Sequence, residues 1–278
     1  MENQAKDNVS TTEAYIHSLV TTNVVREPAL RSAIQALRLP QGSRGLDLGC
    51  GVGLQTGMLA DAVGVAGHVT GLDISPEFLI YAEKLVQQAG LATRISFKEG
   101  SATELPFDDN TFDWAWSADC VGYVPLEPLP LIKELVRVVK PGGHIAILAW
   151  SSEKLLPGYP ILEARLNSTA AGIAPFARGQ RPGLHFMRAL GWLREAGLEN
   201  IVANTFVGDA YAPLPDDSRR ALIALLQMRW LGVDAELTND ERSEYKRLCQ
   251  VASPDFIVDQ PDYYAFFTYS MFHGKVAK

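Results

Sequence analysis

The pattern of apolar and polar positions along residues 44–150 predicts short strands separated by helices. Five segments are typical of strands: Arg44–Leu48, His68–Ile74, Arg94–Glu99, Phe112–Ser117 and His144–Trp150. Three segments between them have helical periodicity: Leu54–Val63, Pro76–Ala89 and Leu126–Val139. Strands that alternate with helices of about ten or more residues are joined by right-handed crossovers. We therefore expect a mostly parallel sheet with helices on both faces.

Helical segments also flank and interrupt this alternation. Thr11–Leu39 predicts two helical pieces that meet near Pro28. A helix at His185–Ala196 and strands at Asn200–Val207 and Tyr264–His273 continue the alternation, for a predicted sheet of seven strands. Two insertions interrupt it, with predicted helices at Leu162–Thr169, Ser218–Leu231 and Asp240–Cys249.

These elements predict one α/β domain that spans residues 1–278. Its core is expected at 27–150, 183–212 and 262–278. Its helical cap is expected at 1–26, 151–182 and 213–261. Sheets of this kind bind ligands at the carboxyl ends of their strands, and that is where we expect the cap to lie.

Composition narrows the class of protein. The net charge of −7 comes without a basic block, which makes nucleic acid or an anionic membrane a poor partner. The three cysteines form no CxxC pair, which argues against a disulfide framework or a structural zinc site and favours a reducing compartment. The polar N-terminal segment predicts no secretory signal, and no apolar run approaches the roughly 18 residues of a membrane span. We expect a cytoplasmic protein without membrane insertion.

A glycine-rich loop follows the first predicted strand. Gly49, Gly51 and Gly53 alternate where that strand ends and a helix begins, so the backbone can turn tightly and approach a ligand. A dinucleotide site needs the pattern GxGxxG. Its third glycine would fall on Leu54 or Thr56, so neither register fits and a nicotinamide oxidoreductase is disfavoured.

Two acidic residues specify the ligand further. Asp47 precedes the loop, where a carboxylate repels a pyrophosphate but suits an ammonium group. Asp73 closes the second strand, where it can accept hydrogen bonds from both hydroxyls of a ribose. S-adenosylmethionine (SAM) has a ribose and an amino-acid tail but no phosphate.

These motifs resemble those of a known family. DLGCGVG at 47–53 and GLDIS at 71–75 resemble motifs I and II of the class I SAM-dependent methyltransferases. The likeness continues through EGSATELPF at 99–107, TFD at 111–113 and ELVRVVKPGG at 134–143, and is similar to the methyltransferase type 11 group that contains the quinone-biosynthesis C-methyltransferases. It implies a Rossmann-like fold, SAM as cofactor, S-adenosylhomocysteine as product, and no metal.

The resemblance also implies which residues bind the cofactor. Gln55 is expected to contact the methionine carboxylate, and Ser101 stands where family members commonly have an Asp that faces the adenine amine. The Ser101 hydroxyl or the backbone of Ala102 would take that place. The expected cofactor-binding residues are Asp47, Gly49, Cys50, Gly51, Gly53, Gln55, Asp73, Ile74, Ser101, Ala102 and Ser117.

The acceptor side is less defined. The family places acceptor-side residues after the fourth strand and at the same sheet edge, which here gives Asp119, Cys120, Tyr123 and Trp150. Further aromatic candidates for an apolar acceptor pocket are Tyr15, Trp230 and Tyr264. His17 is the candidate catalytic residue, because it lies on the N-terminal helix that usually folds over the cofactor in this family.

The sequence thus predicts a SAM-dependent methyltransferase for a small, mainly apolar acceptor that presents a thiol, a hydroxyl or an activated carbon. LLPGYPILEARLN at 155–167 and PDYYAFFTYSMF at 261–272 resemble tailoring methyltransferases of specialised metabolism, and the aromatic residues of the cap, among them Tyr159 and Phe176, favour an uncharged acceptor. One alternative is a quinone-precursor C-methyltransferase. Another is a non-catalytic SAM-binding regulatory module.

Overall fold

The computed structural model describes residues 2–123, 126–173 and 181–278, with the backbone alone for residues 2–11. Part of the first predicted insertion, including Phe176, lies outside the described residues. None of the helices in the described ranges is both long enough and apolar enough to cross a membrane.

Seven strands form one mixed sheet in the order β3-β2-β1-β4-β5-β7-β6. The pairs β3–β2, β2–β1, β1–β4 and β4–β5 are parallel. The predicted α/β class and the seven-stranded sheet are confirmed. The strands are β1 (Arg44–Leu48), β2 (His68–Asp73), β3 (Ile95–Glu99), β4 (Phe112–Ala118), β5 (Val139–Lys154), β6 (Leu198–Tyr211) and β7 (Tyr264–Val276).

Eight α-helices occur in the described part of the chain. They are α1 (Glu2–Ala36), α2 (Leu54–Val63), α3 (Pro76–Gln88), α4 (Pro128–Val138), α5 (Pro160–Asn167), α6 (Ala189–Glu195), α7 (Asp216–Arg229) and α8 (Asn239–Cys249). Ser75 caps α3, as its hydroxyl accepts a hydrogen bond from the backbone N–H of Phe78. Pro76 occupies the first helical turn, where its missing N–H costs nothing.

The predicted break of the N-terminal helix at Pro28 is wrong. The helix α1 runs through that residue without interruption. A proline inside a helix costs about 3 kcal/mol, because it removes one backbone hydrogen bond and crowds the preceding turn. Apolar residues on both sides of it, Val25, Ala29 and Leu30, are buried, and their burial offsets that cost.

Other boundaries also differ from the prediction, among them those of β6, which is Leu198–Tyr211 rather than Asn200–Val207. The strand β5 begins at Val139 rather than at His144, because Phe112 pairs with Val139 while Trp114 pairs with His144. The intervening Pro-Gly-Gly residues form an irregularity within the strand instead of preceding it. The helix predicted at His185–Ala196 is shorter, since 3₁₀ turns at Pro182–Leu184 and Phe186–Arg188 precede α6.

The chain divides into two units. The sheet unit comprises 29–151, 181–206 and 269–278, and the helical unit comprises 1–28, 152–180 and 207–268. Elements α1, β5, β6 and β7 contribute residues to both. In the sheet unit the central strands β1, β4 and β5 have nearly continuous buried runs, as expected for a parallel sheet covered on both faces. Leu46, Leu48, Ile145 and Ile147 are fully buried there.

The helical unit has its own buried contacts. Arg229 of α7 donates from Nε to Oε1 of Glu153 over 3.0 Å, and the Glu153 side chain is almost fully buried. The indole N–H of Trp230 donates to Asn167 over 2.8 Å. Thr238 and Glu241 form a reciprocal capping box at the start of α8.

We predict that Gly45→Ala destabilises the sheet unit. A Cβ at Gly45 would overlap the ring of Trp114, which is buried on the neighbouring strand. Overpacking of this kind typically costs about 1–3 kcal/mol. The matched control is Gly57→Ala in α2, where the added Cβ meets only Leu91, at 3.9 Å. That change is expected to stabilise by up to about 1 kcal/mol. Urea unfolding of both variants tests this, and equal stability of the two would contradict it.

Candidate active site

The glycine loop lies between β1 and α2 and is bonded to β2. The backbone N–H groups of Gly49 and Cys50 both donate to the carbonyl of Leu72, over 2.8 and 3.1 Å. The N–H of Gly51 donates to Oδ2 of Asp73 over 2.8 Å. The loop therefore lies at the carboxyl ends of β1 and β2, where a parallel sheet binds ligands.

Glycine is required in this loop for two separate reasons. Gly49, Gly51 and Gly53 have φ of 74°, 53° and 79°, in the left-handed region. A Cβ at Gly49 would lie 2.6 Å from Cβ of Cys120, whereas a Cβ at Gly51 would meet nothing within 4 Å. Gly49 thus allows close packing of the following β4 turn, and Gly51 borders open space that a ligand can occupy.

Asp47 is a buried carboxylate beneath this loop. It is 2% exposed, and its Oδ2 accepts a hydrogen bond from the hydroxyl of Thr56 over 2.7 Å. Burial raises its pKa to about 7, and the charge of Asp73 adds to the rise. A carboxylate in such a place gains most from a cationic partner, so its chemistry fits an ammonium group.

Asp73 bonds the loop and the next helix together. Its Oδ1 accepts from the N–H of Ser75 over 3.0 Å while Oδ2 accepts from Gly51. Each carboxylate oxygen can accept a second hydrogen bond, so both remain suitable for ribose hydroxyls. The neighbouring Ile74 is 72% exposed, which is compatible with an apolar ligand surface beside it.

Ser101 and Ala102 follow β3, next to the end of β2. The N–H of Gly100 donates to the carbonyl of Asp73 over 3.0 Å. The Ser101 hydroxyl accepts from the N–H of Thr103 over 3.2 Å and lies 2.8 Å from the Thr103 hydroxyl. Ser101 therefore closes a local turn, and its predicted role toward adenine stays a prediction.

Gln55 and Ser117 are both held by β4 and the turn after it. The indole N–H of Trp116 donates to Oε1 of Gln55 over 2.9 Å. The fully buried Ser117 hydroxyl accepts from the N–H of Val121 over 3.4 Å. Cys50 is also buried, and burial raises the pKa of its thiol, so it behaves as a packing residue of the loop.

The acceptor-side candidates of the sheet unit surround the turn after β4. Asp119 has φ of 50°, and its Oδ1 accepts from the N–H of Trp150 over 2.9 Å. Cys120 lies against Gly49, and burial raises the pKa of its thiol to about 11. Trp150 packs edge-on against Tyr269, with ring centroids 5.5 Å apart. This turn connects the acceptor-side candidates directly to the glycine loop.

Tyr123 extends this aromatic set. Its ring centroid lies 6.4 Å from that of Phe186, which stacks on His185 at 4.5 Å. Both Tyr123 and Phe186 adjoin the apolar core of the sheet unit.

The remaining candidates belong to the helical unit. Tyr15 is 49% exposed and Tyr264 is 48% exposed. His17 is exposed, and its Nε2 lies 3.4 Å from the Thr21 hydroxyl. Trp230 is fully buried and bonded to Asn167, as a core residue of that unit would be. Their roles toward the acceptor and in catalysis stay predictions.

Sequence reasoning missed two side chains of the site, Thr56 and Trp116. Thr56 lies in the first turn of α2, and a hydroxyl in the turn after a glycine loop was a usable signal. Trp116 had no such signal, because it lies 61 residues from Gln55 along the chain. A buried tryptophan usually finds a partner for its indole N–H, but the sequence does not identify that partner.

Comparisons with known proteins agree with this geometry. A family model described as a methyltransferase domain matches residues 46–147. A demethylmenaquinone methyltransferase of Bacillus licheniformis is 34% identical over 193 residues, which make up 64% of this chain and 80% of that protein. Another, of Lysinibacillus sphaericus, is 43% identical over 185 residues, or 62% of this chain and 76% of that protein. The chain belongs to the class I SAM-dependent methyltransferases.

A solved structure supports the fold of this methyltransferase. A Bacillus halodurans protein described as a methyltransferase candidate has a TM-score of 0.55 and 16% identity, over 89% of this chain and 99% of that chain. At that identity the likeness concerns the fold alone. The predicted enzyme class is confirmed by the family membership.

We predict that Asp47→Asn removes a specific pH dependence of the methyltransferase's stability. The folded state keeps the Asp47 proton up to about pH 7, while the unfolded chain releases it near its ordinary pKa of 3.8. The free energy of unfolding therefore falls as pH rises from about 4 to 7, by up to about 1.4 kcal/mol per pH unit. The asparagine variant retains an acceptor for Thr56 but does not titrate, so it should exceed the wild type in stability at pH 8. Urea unfolding at several pH values compares them, and parallel pH profiles would contradict a protonated Asp47.

We also predict that Asp73→Ala weakens SAM binding at least tenfold. Two hydrogen bonds to a charged group are expected at the ribose, each contributing roughly 1.5–3 kcal/mol, and tenfold corresponds to about 1.4 kcal/mol. Asp61→Ala is the control, because Asp61 pairs with Arg31 and Arg94 and changes the net charge equally. Calorimetry measures both, and an unchanged Kd in a folded Asp73→Ala variant would refute the assignment.

Proposed function

We propose that this methyltransferase transfers a methyl group from SAM to a small, mainly apolar acceptor bearing a thiol, a hydroxyl or an activated carbon. The observation that carries the proposal is the aromatic set beside the turn after β4, Tyr123 and Trp150, because that turn touches Gly49. Asp119 is the carboxylate of that turn, and its Oδ1 already accepts from the Trp150 backbone. Such a surface favours an uncharged ring or chain over an ionic acceptor.

The donor-binding half of the proposal uses the glycine loop. Asp47 would bind the ammonium group, Gln55 the carboxylate and Asp73 the ribose hydroxyls. Gly51 would allow the ligand to approach the loop backbone. Ile74, Ser101 and Ala102 would line the adenine, and Gly49, Cys50, Gly53 and Ser117 would shape the pocket.

When bound, SAM supplies a methyl group on a positively charged sulfur, and its demethylated form leaves as product. The protein's task is to hold the acceptor in line with that methyl group in a site from which water is excluded. Alignment of two reactants is worth effective molarities on the order of 10⁵–10⁸ M. The chain supplies this alignment through fixed elements, since the loop is bonded to β2 and the β4 turn packs against the loop. The proposed methyl transfer involves no metal ion.

The need for a base depends on the acceptor. A thiol with a pKa of roughly 8.5 ionises partly without help, whereas a phenol near 10 needs a base. For a phenol acceptor, His17 is the proposed base. The cap at 1–26, 151–182 and 213–261 and the acceptor contacts of Tyr15 and Tyr264 stay predictions from sequence, whereas Trp230 is a buried core residue of the helical unit. A cytoplasmic location and the lack of a nucleic-acid partner stay predictions from composition.

A quinone-precursor ring carbon is the second candidate acceptor. It is favoured by the relatives that are named demethylmenaquinone methyltransferases. Those matches leave more than a third of this chain uncovered, because they span 64% and 62% of it. A hydroquinone would suit the aromatic set as well as a thiol or phenol does.

We predict that methyl-labelled SAM with pooled thiols, phenols and quinols yields one labelled class of product, identified by mass. Trp150→Ala should then raise the KM for that acceptor at least tenfold, because an aromatic pair and its apolar contact are lost, and leave SAM binding unchanged. Phe107→Ala is the control, since Phe107 forms a comparable edge-on pair with Phe112, at 5.0 Å, at the start of β4. Transfer of the label only to charged, hydrophilic acceptors, or an unchanged KM in Trp150→Ala, would contradict the proposal of an apolar acceptor.

A further inference from the structure

Trp116 occupies an unusual place for a polar side-chain group. It lies in the middle of the sheet unit, on β4, and is fully buried. Its Cα pairs with that of Asp47 across the parallel strands β4 and β1. Its indole N–H donates to Oε1 of Gln55 over 2.9 Å. Gln55 is the second residue of α2, two positions after Gly53 of the loop.

The hydrogen bond decides which end of the Gln55 amide faces a ligand. A glutamine side chain has an acceptor end and a donor end, and either can point outward. An indole N–H can only donate, so a reversed amide would place donor against donor. The oxygen is therefore held toward Trp116, and the NH₂ group is the end left for a ligand at the loop. An NH₂ group attracts a carboxylate, whereas the amide oxygen would repel it.

We propose that Trp116 is a positioning residue, whose indole N–H turns the Gln55 amide so that its NH₂ group faces the carboxylate of the methyl donor. The inference rests on the proposed placement of the donor at the glycine loop. Asp47 and Trp116 lie opposite each other on two neighbouring strands, and together they act on the two charged groups of the donor's amino-acid tail. Asp47 acts on the ammonium group directly, and Trp116 acts on the carboxylate through Gln55.

The same strand contains a matched control. Trp114 is also buried, at 1% exposed, and its indole N–H donates to the Ser43 hydroxyl over 2.9 Å. Trp114 pairs with Gly45, at the amino-terminal side of the Asp47–Trp116 pair. A Trp→Phe change at either position removes the same atoms and one hydrogen bond of the same length. Only the change at Trp116 alters the orientation of Gln55.

Two ligands separate a positioning role from a structural one. SAM and its decarboxylated form, which keeps the ammonium, sulfonium, ribose and adenine, differ only in the carboxylate. Trp116→Phe is expected to raise the Kd for SAM about 3- to 10-fold, as the loss of one oriented hydrogen bond does. It should change the Kd for the decarboxylated form less than twofold. Trp114→Phe should leave both Kd values within twofold of the wild type.

Gln55→Glu tests the same point without a change in the core. A glutamate still accepts from the Trp116 indole but repels a carboxylate, so SAM binding should weaken and binding of the decarboxylated form should not. Gln55→Ala should weaken SAM binding, and adding Trp116→Phe to it should have no further effect.

Four results would overturn the inference. Equal weakening of both ligands by Trp116→Phe, or the same pattern in Trp114→Phe, would make the role structural. Additive effects of Gln55→Ala and Trp116→Phe would show that the two residues act separately. If the wild type bound SAM and its decarboxylated form with equal affinity, Gln55 would make no favourable contact with the carboxylate. If the protein still transferred labelled methyl groups from SAM to an acceptor in that last case, the proposed function would stand while this inference failed.

Discussion

The hydrogen bonds between the glycine loop and the end of β2 hold together everything else in the site. Three consecutive backbone N–H groups, from Gly49 to Gly51, donate to the Leu72 carbonyl and the Asp73 carboxylate. These three hydrogen bonds require a loop backbone with positive φ at alternate positions, which glycine adopts without steric cost. Once the loop has this shape, Asp47 is covered and α2 starts at Leu54. The turn after β4 can then approach Gly49.

Burial of Asp47 is the cost of this arrangement. A carboxylate with one hydroxyl as its hydrogen-bond partner and a second carboxylate nearby is destabilised in its charged form. Structural stability alone would favour an apolar residue or an amide at this position. The site thus keeps a carboxylate whose charged form is disfavoured by burial, and such perturbed groups are common in binding sites. A bound ammonium group would relieve that penalty, so the donor's affinity and the free protein's instability have the same origin.

The sequence predicts local features of this protein better than distant ones. The strand–helix alternation and the glycine loop depend on neighbouring residues, and the structure has both. The continuous α1 was missed because the burial of Ala29 and Leu30, which offsets Pro28, depends on distant parts of the chain. The early start of β5 depends on its register with β4, which periodicity does not contain. The Trp116–Gln55 hydrogen bond joins residues 61 positions apart and became visible only with the fold.

The two halves of the proposed site make different contributions to catalysis. The ammonium and carboxylate groups served by Asp47 and Gln55 are the same in the methyl donor and in its demethylated product. Contacts to them bind both forms alike, so they provide affinity without lowering the barrier, and the product should compete with the donor. What changes during transfer is the charge on sulfur and the distance to the acceptor. In the proposed function, rate and selectivity therefore come from the elements assigned to those atoms, the turn after β4 and Trp150 of β5. The proposed determinants of acceptor choice are thus side chains outside the loop motifs, which is why those motifs identify the donor but say little about the acceptor.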